Sequence, residues 1–132
     1  MSETKVKWHK YPEEPIPKRL HQVLVTQVYG KKSVTIKDPR YMNLEHDIAW
    51  AEPPDWFGKG KKISENSCKW NNYRYFEKFP REDGYKLVTI AEYINGREKH
   101  YIDRMCSYDG LFVNTSKIVV AWAEMPDPYE GE

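Results

Sequence analysis

The stretch IAWAEPPDWF, residues 48 to 57, returns near the C-terminus as VVAWAEMPDPY, residues 119 to 129. The shared phrase is Ala-Trp-Ala-Glu, any residue, Pro-Asp, any residue, aromatic. Reading outward, KWHKYPEEPIPKRLHQVLVTQVYGKKSVTIKD (7 to 38) precedes the first copy and KWNNYRYFEKFPREDGYKLVTIAEYINGREKHYIDR (69 to 104) the second. Lys7-Trp8 answers Lys69-Trp70, Tyr11-Pro12 answers Phe79-Pro80, and Leu24-Val25-Thr26 answers Leu87-Val88-Thr89. Gly30 answers Gly96, and Ile36 answers Ile102. Two copies at this spacing make a tandem duplication, not a solenoid array.

The phrase itself reads as the end of a strand. Ile48 and Trp50, like Val120 and Trp122, sit two apart and so share a strand face. The following Pro lacks a ladder donor and stops the strand. Pro-Asp then turns the chain, and the aromatic beyond it (Trp56 or Phe57 in one copy, Tyr129 in the other) is expected to fold back onto the Trp. Trp8, Trp50, Trp70 and Trp122 are accordingly read as structural core.

Each copy reads as three strands: Gln22 to Tyr29, Ser33 to Lys37 and His46 to Ala51, then Tyr85 to Ile94, Lys99 to Met105 and Lys117 to Glu124. Asn95-Gly96 is a strong hairpin signal because both residues accept positive φ. No segment holds a helical period over eleven residues; a short helix is expected only near 39 to 47 or 73 to 83. The expected architecture is therefore mainly β: two tandem three-stranded antiparallel units, related by an approximate two-fold pseudo-symmetry and packed as one body. Unit one spans 1–57 and unit two 68–132. The Pro-, Gly- and Lys-rich stretch at 58–67 reads as the linker. CSYDGLFVNTS, 106–116, has no counterpart in unit one and reads as an insertion loop.

Of the 132 residues, 39% are hydrophobic and 31% charged, the balance of a folded globular chain. The longest apolar run, around Ile118 to Ala123, is too short to span a bilayer, and the first ten residues carry no apolar signal segment, so a cytoplasmic protein is expected. Net charge is +1, which counts against nucleic acid as partner. The halves differ: residues 1–62 hold 12 basic and 8 acidic side chains, residues 63–132 hold 9 and 12. Cys68 and Cys106 read as free thiols; no metal-ligand spacing links them to His46 or His100. GKGKK (58 to 62) lacks the spacing of a phosphate-binding loop. Glu52 with Asp55, and Glu124 with Asp127, have the composition of paired carboxylates, but Asp beside Pro is ordinary turn chemistry. No catalytic, cofactor or metal residues are assigned, and no enzyme is expected.

The pattern resembles the small phage and prophage proteins of the "domain of unknown function 551" class. The resemblance is carried by Trp8, Pro12-Glu13-Glu14, Val23-Leu24-Val25 and Ile48-Ala49-Trp50-Ala51-Glu52-Pro53-Pro54, and again by Trp70, Pro80, Lys86-Leu87-Val88 and Val119 through Tyr129. Both copies carry Ala-Glu after the Trp where the class closes on Trp-Met-Pro-Leu-Pro. The resemblance implies a bacteriophage or prophage origin and assigns no activity. Three readings of function stand beside it. The first is a non-catalytic accessory protein that binds a host or phage protein, such as a host-defence inhibitor, through exposed aromatics. Its candidates are Tyr108, Phe112, Tyr73, Tyr75 and Trp56; a homodimer is compatible with it. The second is a single-strand nucleic-acid binder using Lys59, Lys61 and Lys62 with Trp56 and Phe57. The third is a small-ligand binder with an aromatic groove between the repeats. For the insertion, the Asp109-Gly110 turn favours contact over core.

Overall fold

The computed structural model describes residues 3–59, 66–74, 77–112 and 116–131. It is mainly β, with two antiparallel sheets packed into one body. In unit one, β1 (His9–Lys10), β4 (Asp47–Ala51), β2 (Val23–Tyr29) and β3 (Lys31–Lys37) lie side by side in that order. In unit two the order is β5 (Asn71–Asn72), β9 (Ile118–Glu124), β6 (Gly84–Ile94), β7 (Arg97–Tyr108) and β8 (Leu111–Phe112). The three expected strands of each unit are thus joined by a two-residue edge strand following its Lys-Trp pair, and unit two adds β8. A 3-10 turn at Pro39–Tyr41, capped by the Asp38 carboxylate accepting from the Arg40 amide, occupies the first expected helical stretch.

Strand pairing repeats between the units. His9 and Asn71 pair with Trp50 and Trp122; Leu24 and Leu87 with Ala51 and Ala123; Thr26 and Thr89 with Ala49 and Ala121. After each Thr a bulge skips one residue of the partner, Ile48 in one unit and Val120 in the other. This corrects the simple alternation: the extra residue passes the face to the next position, so Val119, not Val120, packs with Trp122. Register also corrects one correspondence. Thr26 pairs with Val34 and Thr89 with Ile102, so the counterpart of Ile102 is Val34, while Ile36 corresponds to Arg104. The second hairpin is simply longer, reaching Asn95-Gly96 before it turns.

One cluster lies between the sheets: Leu24, Val34 and Ala51 against Leu87, Ile102 and Ala123. Each sheet then covers its outer face with its own segments. Trp50 joins Val23 and Val25 beneath Tyr11, Ile16, Leu20 and Met42. Trp122 joins Val88, Ile90, Val119 and Phe112 beneath Tyr73, Tyr101 and Met105. Both indoles are nearly buried and each donates to a carbonyl of its own unit, Glu14 (2.6 Å) and Lys78 (3.1 Å).

The Pro-Asp segments do not fold back onto these tryptophans; they cross to the other unit. Trp70 donates to the Asp55 carbonyl at 2.9 Å, and Trp8 donates to the Asp127 carbonyl at 3.0 Å. The Phe57 amide donates to Thr89 Oγ1 and the Tyr129 amide to Thr26 Oγ1, both at 3.0 Å. Asn66 donates to the Glu52 carbonyl and Thr4 to the Glu124 carbonyl. Lys5 and Ser67 exchange backbone bonds of 2.8 and 3.0 Å. Trp8 and Trp70 therefore belong to the unit–unit interface, and residues 66 and 67, expected in the linker, are part of it. The rest of that linker, 60–65, lies outside the described residues.

Cys68 also packs at this interface, and burial pushes its thiol up to about 12. A thiol reagent at pH 8 should modify exposed Cys106 at once and Cys68 only as the protein opens, giving one fast and one slow equivalent. The sign of the pH effect follows. Below the ordinary value of 9.0 both states keep the proton and the stability is unaffected. Between there and about 12 only the unfolded chain ionises, so stability falls as pH rises. Cys68→Val, which copies the apolar side chain of its counterpart Val6, should flatten that alkaline slope in denaturation curves.

Candidate interaction surface

Of the stretch expected as an insertion loop, residues 106–112 form a hairpin, and 113–115 lie outside the described residues. β7 continues through Cys106, Ser107 and Tyr108, turns at Asp109 (φ 54°) and Gly110 (φ 81°), and returns as β8. Positive φ at both central residues is the type I′ geometry that suits Asp-Gly. Ser107 pairs with Phe112 and Tyr108 with Leu111, so the two pairs face opposite ways. The Ser107–Phe112 face is buried. Phe112 meets the Tyr73 ring edge-on at 5.0 Å, and its amide donates to the Tyr73 hydroxyl. The Tyr108–Leu111 face is open to solvent, with Tyr108 63% and Leu111 42% exposed.

Two contacts fix this hairpin to the 79–84 segment. Ser107 Oγ lies 3.2 Å from the carbonyls of Glu82 and Gly84, and the Asp109 amide donates to Asp83 at 2.9 Å. Phe79, exposed and edge-on to Tyr73 at 5.8 Å, comes close to Gly110; a Cβ there would stand 3.3 Å from the Phe79 Cβ. Tyr108 and Leu111 thus stand exposed on either side of a pinned two-residue turn, and Phe79 lies beside that turn at Gly110. Tyr108, expected at the surface, is exposed, and Leu111, an apolar residue of the same stretch, pairs with it across the Asp-Gly turn. Phe112 and Tyr73 are corrected: both pack on the face of the hairpin opposite Tyr108 and Leu111, Phe112 buried and Tyr73 half-buried. Tyr75 lies outside the described residues.

Trp56 stands elsewhere, on the arm that crosses from unit one. Its ring stacks on His100 of β7 at 4.8 Å, with Lys59 Nζ 5.8 Å from its centroid. It walls two clefts, of about 370 Å³ toward Cys68 and Trp70 and about 340 Å³ toward Arg19, Gln22 and Tyr101. The smaller lies between the units, with Trp56, His100 and Tyr101 in its wall. Lys59 also pairs with Asp55 at 3.7 Å; Lys61 and Lys62 lie outside the described residues. The carboxylates of the phrase serve as counterions: Glu52 to Arg19 at 2.6 Å and Glu124 to the buried Lys86 at 2.8 Å.

Among the described residues no three His, Cys, Asp or Glu side chains gather as a metal site, and no helix is long and apolar enough to cross a membrane. The fold and this surface define a two-sheet antiparallel β protein with an exposed apolar hairpin turn. No family model, curated protein or solved structure matches the chain.

Proposed function

We propose that this chain is a non-catalytic accessory protein of phage type, acting in the bacterial cytoplasm by binding a host or phage protein through the exposed Tyr108–Leu111 face of the hairpin, with Phe79 beside it. The observation that carries the reading is the two-faced β7–β8 hairpin. Its inner face lies in the core, while its outer face holds a large aromatic and an aliphatic side chain in water on a turn held by the Ser107 hydroxyl and the Asp109 amide. Rigid, exposed aromatic anchors lose little entropy on contact and dominate interface energetics. The sequence resemblance to small phage and prophage proteins supports the setting, and inhibition of a host defence or host enzyme is the action proposed within it.

The test is capture from a bacterial host lysate by the parent and by Tyr108→Ala/Leu111→Ala, each checked for an unchanged melting temperature. A defined protein retained by the parent, lost by the variant and rebound when purified supports the reading. Equal retention by both, or none by either, overturns it. The Trp56–His100 stack between two clefts favours a second reading, a small-ligand site. A rise in melting temperature with a member of a metabolite panel, abolished in Trp56→Ala, would move the function there. Binding to single-stranded nucleic acid with a steep salt dependence would point to the third class instead.

A further inference from the structure

We propose that the interface between the two units is a self-recognition surface that a second copy of this chain can occupy, giving an arm-exchanged dimer. Three sets of the crossing contacts are matched between the units. Trp8 takes the Asp127 carbonyl as Trp70 takes that of Asp55, and Thr26 takes the Tyr129 amide as Thr89 takes that of Phe57. Lys5 and Ser67, corresponding positions in the two units, pair with each other through both their amides. A contact between equivalent positions is what an isologous interface produces about its two-fold axis.

None of these contacts requires that the two units share a chain. Each arm needs only a unit of the other kind, and covalent linkage across 59–66 merely supplies it at a high effective concentration, on the order of 1 mM for a short tether. In the closed monomer both arms are satisfied within the chain. In the exchanged dimer, unit one of each chain docks with unit two of its partner, every crossing contact is kept, and only the connection changes path. The two forms therefore compete through the connection and the protein concentration.

The experiment places a reporter at the Lys5–Ser67 pair. Doubly bonded antiparallel partners have Cα atoms about 5.5 Å apart, within the range a disulfide bridges. Lys5→Cys/Ser67→Cys is made in a Cys68→Val/Cys106→Ser background and refolded from denaturant at about 1 µM and about 1 mM, the first far below the effective concentration and the second comparable to it. The protein is then oxidised and run on a denaturing gel without reductant. A closed chain gives an internal disulfide and a monomer band; an exchanged dimer gives a covalent dimer that reductant returns to monomer. The expected result is at least a tenfold rise in covalent dimer between the two concentrations, with none from Lys5→Cys or Ser67→Cys alone.

A second variant lacking residues 60–65 shortens the connection by up to roughly 20 Å of extended chain and should carry the dimer to micromolar concentration. Covalent dimer absent both at 1 mM and from the shortened chain overturns the proposal. So does equal dimer from the single-cysteine controls, which would mark ordinary surface contact.

Discussion

Trp122→Ala is expected to lower the free energy of unfolding by about 3–5 kcal/mol, the cost of removing a large aromatic from a packed core. The indole is 5% exposed and packs against Val88, Ile90, Val119 and Phe112. Truncation also frees the Lys78 carbonyl that its N–H satisfies and removes the ring 5.8 Å from the buried Lys86 ammonium. That ammonium would then depend on Glu124 alone among the partners described. Urea denaturation read by circular dichroism measures the loss as a lowered midpoint at unchanged slope. A midpoint equal to the parent's would remove Trp122 from the core and with it the assignment of the outer face of unit two.

Phe112→Ala and Tyr108→Ala should separate by several kcal/mol although the residues lie on one hairpin. Phe112 is 8% exposed, meets Tyr73 and lies in the same cluster as Trp122, so its truncation should cost about 3–5 kcal/mol. Tyr108 points to solvent, and its truncation should stay within about 0.5 kcal/mol of the parent. Partner capture should respond in the opposite order, falling with Tyr108→Ala while a folded Phe112→Leu retains it. A loss of stability for Tyr108→Ala as large as that for Phe112→Ala would place both faces of the hairpin in the core.

The β framework was legible because its signals are local. Alternating Val and Thr around Leu24 and Leu87, the Asn95-Gly96 turn and the Pro that ends each Trp strand are each decided within a few residues. β1 and β5 were missed because a two-residue strand carries no period. The bulges after Thr26 and Thr89 were missed because one skipped residue leaves no composition mark, yet it exchanges the faces of everything beyond it. At the insertion the signal was present: Asp109-Gly110 is hairpin chemistry, and a hairpin must turn Ser107 and Phe112 to one side when it turns Tyr108 and Leu111 to the other. The direction of the Pro-Asp arms had no such signal. Whether Asp55 meets Trp50 or Trp70 depends on where the second sheet sits, which is a property of the packed whole.

The crossing of those arms also decides where damage is felt. The last described residues, Asp127 to Gly131, hang from the second sheet but are gripped by the first, through Trp8, Thr26 and Lys32. Loss of the C-terminal tail would thus loosen the N-terminal half of the molecule, and fraying at Thr89 would begin with Phe57. Neither half holds a private stability that it can keep while the other melts, so amide-exchange protection should be lost from both sheets in one concerted opening.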